Sequence, residues 1–154
     1  MTQRLDPAIL AEISSHCACF NVRRAARAIT QHYDRALAPT GLRATQLTLL
    51  VALGRAGAIP FTKLADVLGM DRTTLTRNLS PLERDRLLTI RPGPDRRVKL
   101  VALTDKGREV LARATPLWQD AQQKITGGLG AGRWDGLRRE LQAIAALAGD
   151  TDHP

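Results

Sequence analysis

The side chains best placed to do chemistry are the hydroxyls and guanidinium groups of Arg72-Thr73-Thr74-Leu75-Thr76-Arg77 and the basic run Asp95-Arg96-Arg97-Val98-Lys99. That chemistry is recognition rather than bond making. A guanidinium presents paired N–H donors that match O6 and N7 of guanine in the major groove of duplex DNA. Short hydroxyl side chains let the backbone that carries them come close to the base edges. Arginines on a hairpin tip suit the narrow, electronegative minor groove or the phosphates beside it. Asp95 repels phosphate, so its expected task is to orient a neighbouring arginine through an ion pair.

No catalytic constellation accompanies these residues. The three histidines, His16, His32 and His153, are scattered, and no glycine loop resembles a phosphate cradle. Glu83-Arg84-Asp85-Arg86 reads as a mixed-charge helix end, not as paired catalytic acids. The chain is therefore not read as an enzyme. His16-Cys17-Ala18-Cys19 holds metal-ligating residue types. On a continuous helix, however, the two cysteines point about 200° apart, and His16 with Cys19 offers only two ligands. Neither a metal nor another cofactor is expected. Cys19 has two readings. It is either a small packed hydrophobe or a thiol sensor whose thiolate Arg23, one helical turn later, would stabilise.

The elements that must position the recognition groups follow from spacing. Phe61, Leu64, Ala65 and Leu68 fall on one face of a short helix over Phe61–Leu68. Gly69 ends that helix by taking a positive φ, and Asp71 is a suitable N-cap for a second helix over Arg72–Arg86. Leu75, Leu79 and Leu82 recur at i, i+4 and i+7 and face a core, which puts Thr73, Arg77, Ser80 and Arg84 on the opposite face. Pro81 removes the backbone bond to the Arg77 carbonyl and bends the helix beyond its base-facing half. Leu87–Ile90 and Val98–Leu103 read as strands, joined through the turn residues Pro92-Gly93-Pro94. The order is helix, turn, helix, then a β-hairpin wing.

Outside this lobe the chain reads as helical. A long amphipathic stretch runs from Asp6-Pro7 to about Ala38, and a helix around Thr45–Leu53 is apolar almost all round and therefore expected to be buried. A helix from Asp105 to about Thr126 is expected to kink at Pro116, and Gly127 to Gly132 reads as a break. A last helix places Trp134, Leu137, Leu141 and Ile144 on one face. Long amphipathic helices at both ends of a small chain call for a partner surface, which a second copy supplies. The expected class is mainly α with a small β-hairpin wing. Its divisions are an N-terminal dimerisation region (1–38), a winged helix–turn–helix DNA-binding lobe (39–104), C-terminal dimerisation helices (105–148) and a tail (149–154).

Composition narrows the partner. The 154 residues carry a formal net charge of +8 at pH 7, and a dimer would carry twice that, a sizeable attraction for a polyanion. Aromatic residues make up only 3%, too few to stack unpaired bases, which favours duplex DNA over RNA or single strands. No apolar run approaches the ~18–20 residues that span a bilayer, and a signal-peptide pattern is missing, so a cytoplasmic protein with reduced cysteines is expected. The rival reading is a winged-helix module mediating protein or RNA contacts without sequence-specific DNA binding.

The motifs together resemble a known family, the multiple-antibiotic-resistance regulator (MarR) type of winged helix–turn–helix transcription factor. Asp95-Arg96-Arg97, followed by Leu103-Thr104-Asp105-Lys106-Gly107, looks like the family's Asp-x-Arg … Leu-Thr-x-x-Gly wing signature. Leu64 through Arg77 resembles its helix–turn–helix, and Gly41-Leu42 with Gln46 resembles the connection before it. The resemblance implies a homodimer with interlocking terminal helices that binds a pseudo-palindromic operator and usually represses. The residue chemistry and helix spacing themselves place the expected DNA contacts at Arg72, Thr73, Thr74, Thr76 and Arg77 in the major groove, and at Arg96, Arg97 and Lys99 on the wing.

Cys19-Phe20, with Arg27, Thr30, Tyr33, Leu37, Gly41-Leu42 and Gln46, is similar to the organic-hydroperoxide-sensing branch of that family. There a cysteine at the position of Cys19 is the sensor, hydrogen-bonded to tyrosines. Tyr33 matches one of those tyrosines, and Ala44 stands where the other would be. The alternative input is a small apolar or aromatic effector bound between the dimer helices and the winged lobe.

Overall fold

A computed structural model describes residues 5–149. His153 and the expected tail from residue 150 onward lie outside the described residues. The elements in chain order are α1 (Pro7–His16), α2 (Ala18–Leu37), a single 3-10 turn (Ala38–Thr40), α3 (Ala44–Ala56), β1 (Ile59–Pro60), α4 (Phe61–Leu68), α5 (Arg72–Arg84), β2 (Leu88–Pro92), β3 (Lys99–Leu103), α6 (Asp105–Leu129) and α7 (Ala131–Gly149). The mainly α class with a small wing is what the periodicities predicted.

The core lies between α3, α5, the sheet and the first half of α6. Leu49 and Leu50 of α3, Leu64 of α4, and Leu75, Leu79 and Leu82 of α5 are buried with Leu88 and Val101 of the strands. The leucines read as the inner face of the second helix are thus all inside. Val51, on the helix expected to be buried all round, is 41% exposed. Among the described residues one side of α3 is only partly covered.

The wing is part of a three-stranded antiparallel sheet in the order β1-β3-β2. Its hairpin pairs Leu88 with Leu103 and Pro92 with Lys99. β1 was not anticipated, because two residues are too short to show strand alternation. It pairs Ile59 with Val101 and Pro60 with Leu100, which ties the start of α4 directly to the base of the wing.

Three helix boundaries differ from the periodic reading. α5 stops at Arg84 instead of Arg86, because Arg86 takes a left-handed conformation (φ 61°) that a helix cannot continue through. The stretch from Pro7 to Leu37 is two helices, with Cys17 extended between them (φ −62°, ψ 115°). Neither glycine nor proline marks that break. Asn21 stabilises it by donating its side-chain N–H to the Ser15 and Cys17 carbonyls, each at 3.0 Å. At the other end α6 continues through Gly127 and Gly128 and stops at Gly130 (φ 82°). The expected six-residue break is a single residue wide.

α1 and α7 contain no buried residue, and Ile9, Ile13, Leu141 and Ile144 stand exposed. Packing within the chain leaves these terminal stripes uncovered. Among the described residues no single helix is long and apolar enough to cross a membrane.

Candidate nucleic-acid interface

The turn between α4 and α5 works as its residues dictate. Gly69 takes φ 59° and closes α4, its N–H reaching the Asp66 carbonyl at 3.2 Å. Asp71 then caps α5, accepting the Thr74 hydroxyl at 2.6 Å and the Thr74 backbone N–H at 2.8 Å. These donors, the hydroxyl first, hold the Asp71 carboxyl below the usual carboxylate range. The cap sets where the helix begins and therefore which side chains lead.

On the outer face of α5, Arg72, Thr73, Thr76, Arg77 and Ser80 are exposed, and Thr74 is half-buried. The hydroxyls are not equivalent. Thr74 gives its proton to Asp71, Thr76 donates to the Arg72 carbonyl at 2.8 Å, and Ser80 donates to the Thr76 carbonyl at 2.8 Å. These three therefore face outward chiefly as acceptors. Arg77 extends from the middle of the helix, and Pro81 lies one turn beyond it inside the same helix.

Asp95 builds the wing tip differently from expectation. Its Oδ1 accepts the Arg97 backbone N–H at 2.9 Å, and its carbonyl accepts the Val98 N–H at 2.9 Å. Among the described residues the ion pairs are Arg43–Asp34, Arg84–Asp85, Arg108–Asp105 and Arg138–Asp135, so the ion pair expected of Asp95 is not formed. It orients the turn's backbone instead, since a short carboxylate reaches an N–H two residues on more readily than a long, solvated guanidinium. Gly93 donates to the Val98 carbonyl at 2.7 Å, and Arg96, Arg97 and Lys99 are exposed beside it.

Phe61 and Arg91 belong to this face and were missed. Phe61 sits at the first position of α4 and lines two clefts between α5 and the wing. One also holds Arg72, Thr76, Arg97 and Lys99, and the other Ser80, Arg91, Arg96 and Lys99. Its spacing with Leu64 and Leu68 assigned it to the core, and half of that is true: it packs partly against the core. The Arg72 guanidinium lies 6.0 Å over the Phe61 ring. Arg72 thus points into the wing-side cleft.

Within one chain the suggested sensor residues Cys19 and Tyr33 lie apart. Cys17 is half-buried in the break and Cys19 is exposed on α2. The two cysteines do not share one continuous helix, because Cys17 is extended between α1 and α2. Tyr33 lies fourteen residues after Cys19 on the same helix, about 21 Å along its axis. Its hydroxyl donates to the Gln122 side chain of α6, and burial raises the pKa of its phenol. His32 bonds the Ala121 carbonyl at 3.1 Å, so the pair fastens α2 to α6. Among the described residues no group of three or more His, Cys, Asp or Glu could hold a metal.

Known proteins are similar to this chain in geometry and, in part, in sequence. Residues 40–97 match the family model described as MarR family. The transcriptional regulator MosR of M. tuberculosis, solved in complex with DNA, is 40% identical, with 90% of this chain and 100% of that one covered and a TM-score of 0.83. The transcriptional repressor CouR, bound to a 23-mer DNA duplex, is 30% identical over 93% of this chain and 99% of that one, with a TM-score of 0.79.

Among curated sequences, the uncharacterized HTH-type transcriptional regulator YwoH of Bacillus subtilis is 30% identical over 88 residues, which is 57% of this chain. The chain spans 64% of that relative's length. The family model ends inside the wing, whereas the structural likeness continues through the terminal helices. With the capped helix–turn–helix, the Asp95-built wing and these relatives in agreement, the chain belongs to the MarR family of winged helix–turn–helix transcriptional regulators, which are DNA-binding proteins and not enzymes.

Proposed function

We propose that the protein is a homodimeric, cytoplasmic repressor that binds a pseudo-palindromic duplex operator. In this reading α5 lies in the major groove, read by Thr73, Thr74, Thr76 and Arg77, with Arg72 alongside. The wing meets the minor groove and phosphates through Arg96, Arg97 and Lys99. Residues 39–104 form the DNA lobe, and the flanking regions 1–38 and 105–148 form the dimer. The observation that carries the reading is the exposed face of Thr73, Thr76 and Arg77 opposite Leu75, Leu79 and Leu82, set beside an arginine-tipped wing. Selecting duplexes from a random library should yield an inverted repeat with half-sites about one helical turn apart. Binding that random duplex competes away equally well would favour a winged-helix module for protein or RNA contacts.

The dimer is expected to be obligate. The uncovered faces of α1 and α7 fit an interface of roughly 2,000 Å² or more. Sedimentation at low micromolar concentration should show a dimer, and deletion of residues 1–20 should leave a monomer or an aggregate. A well-behaved wild-type monomer that still binds its operator tightly would remove the basis for this assignment.

Two inputs have support. A recess of about 340 Å³ between α3 and α6, lined by Leu47, Val51, Leu111 and Trp118, suits a small apolar or aromatic effector. CouR has also been solved with p-coumaroyl-CoA, which has an aromatic acyl group. Oxidation of Cys19 is the second reading, favoured by its exposure and by Arg23 one turn later on α2. Low-micromolar organic hydroperoxide should then release the wild type from operator, while Cys19→Ser stays bound and Cys17→Ser still responds. Undiminished wild-type binding under oxidant would leave the recess as the input.

A further inference from the structure

Arg72 occupies an awkward place. It is the first residue of α5, where the free N–H groups concentrate about half a positive charge, and a cation there is disfavoured. It also shares one cleft with Arg97 and Lys99, so three positive side chains converge with no carboxylate among the residues that line it. Arg72 is exposed, so water competes with the cleft for its guanidinium. The Phe61 ring face, 6.0 Å away, offers a compensating negative quadrupole.

Phe61 is itself held. It follows β1, whose Ile59 and Pro60 pair with Val101 and Leu100 of the wing, and it packs partly on the core. A ring fixed to the wing's base therefore holds a cation that belongs to the recognition helix.

We propose that Phe61 is a positioning residue for phosphate recognition. Its ring seats the Arg72 guanidinium in the cleft between α5 and the wing, where Arg72, Arg97 and Lys99 close on one DNA backbone phosphate from two sides. This rests on the operator-binding reading, and it adds a residue that does not itself touch DNA. Preorganisation is the physical gain. An arginine already turned into the cleft loses less side-chain freedom when the phosphate arrives. It also makes the angle between recognition helix and wing part of the binding site.

The test is a double-mutant cycle on a duplex selected by the wild-type protein, with affinity measured across a salt series. Phe61→Leu should weaken binding about two- to five-fold, the worth of an exposed cation–π contact. Arg72→Ala should weaken it and lower the salt slope by about one. In the Arg72→Ala background, Phe61→Leu should add nothing, and Phe61→Tyr, which keeps the ring, should bind as the wild type does. Thermal melting checks each fold. If Phe61→Leu does not fold, Phe61→Met serves as the ringless variant of similar volume.

Additive losses in the double mutant would overturn the proposal, as would an equal loss in Phe61→Tyr or tighter binding by the ringless variant. An Arg72→Ala protein with wild-type affinity and salt slope would overturn it too, while leaving operator binding intact if Arg77→Ala is impaired. Failure of the wild type to select any duplex would instead count against the operator-binding reading itself.

Discussion

Gly107→Ala should be strongly damaging, because it strikes the junction where the DNA-binding lobe meets the start of α6. A Cβ built there would stand 1.9 Å from the Leu87 carbonyl oxygen and 2.9 Å from its carbonyl carbon. Both are backbone atoms, so no side chain can swing aside. The carbonyl is engaged as well, accepting the Thr104 N–H at 3.1 Å.

Around it the start of α6 is latched to the end of α5. Thr104 donates its hydroxyl to the Arg86 carbonyl at 2.7 Å and caps the Gly107 N–H at 3.0 Å, and Lys106 reaches the Asp85 carbonyl at 2.9 Å. Making room for the methyl means pulling these contacts apart together. The expected cost is about 3 kcal/mol, which for a chain of this size lowers Tm by roughly 6–12 °C at matched protein concentration. Gly127→Ala is the control. It lies in the same helix with nothing within 4 Å of its Cβ position, so it should be neutral or slightly stabilising. A Gly107→Ala protein that melts with the wild type would show that the junction yields, and the close packing would then explain nothing about stability.

The second large effect concerns Arg77. It is exposed at the middle of α5, on the face opposite the buried leucines. A bidentate contact to guanine is worth about 1–3 kcal/mol of discrimination. Arg77→Ala should therefore lose roughly five- to 150-fold on the selected operator and relax base preference at one position of each half-site. Nonspecific binding should barely change. Arg96→Ala and Arg97→Ala should behave differently, weakening all duplexes and flattening the salt dependence. Equal losses for Arg77→Ala on operator and random duplex would assign Arg77 to phosphate and leave base reading to the threonines.

The parts legible in the sequence are those governed by near neighbours along the chain. Leucines at 75, 79 and 82 dictate which side of α5 is buried, because an apolar stripe at helical spacing has one place to go. Gly69 and Asp71 end one helix and begin the next through contacts within four residues. Thr104 begins α6 in the same local way, its hydroxyl accepting the Gly107 N–H three residues on. Uncovered stripes on α1 and α7 were readable as a demand for a second copy, since hydrophobicity records burial without naming the partner.

Tertiary structure decided what depends on residues far apart in sequence or on competition between local bonds. The break at Cys17 has no glycine or proline to announce it and rests on Asn21 reaching back to Ser15 and Cys17. β1 exists only because β3 offers it an edge, so two residues could not declare it. Asp95 chose a backbone N–H over a guanidinium, a choice that spacing cannot make. Arg72 faces Phe61 and the wing because β1 carries that ring to the cleft. Gly107 is needed for a backbone twenty residues earlier that only the fold brings within 2 Å of its missing methyl.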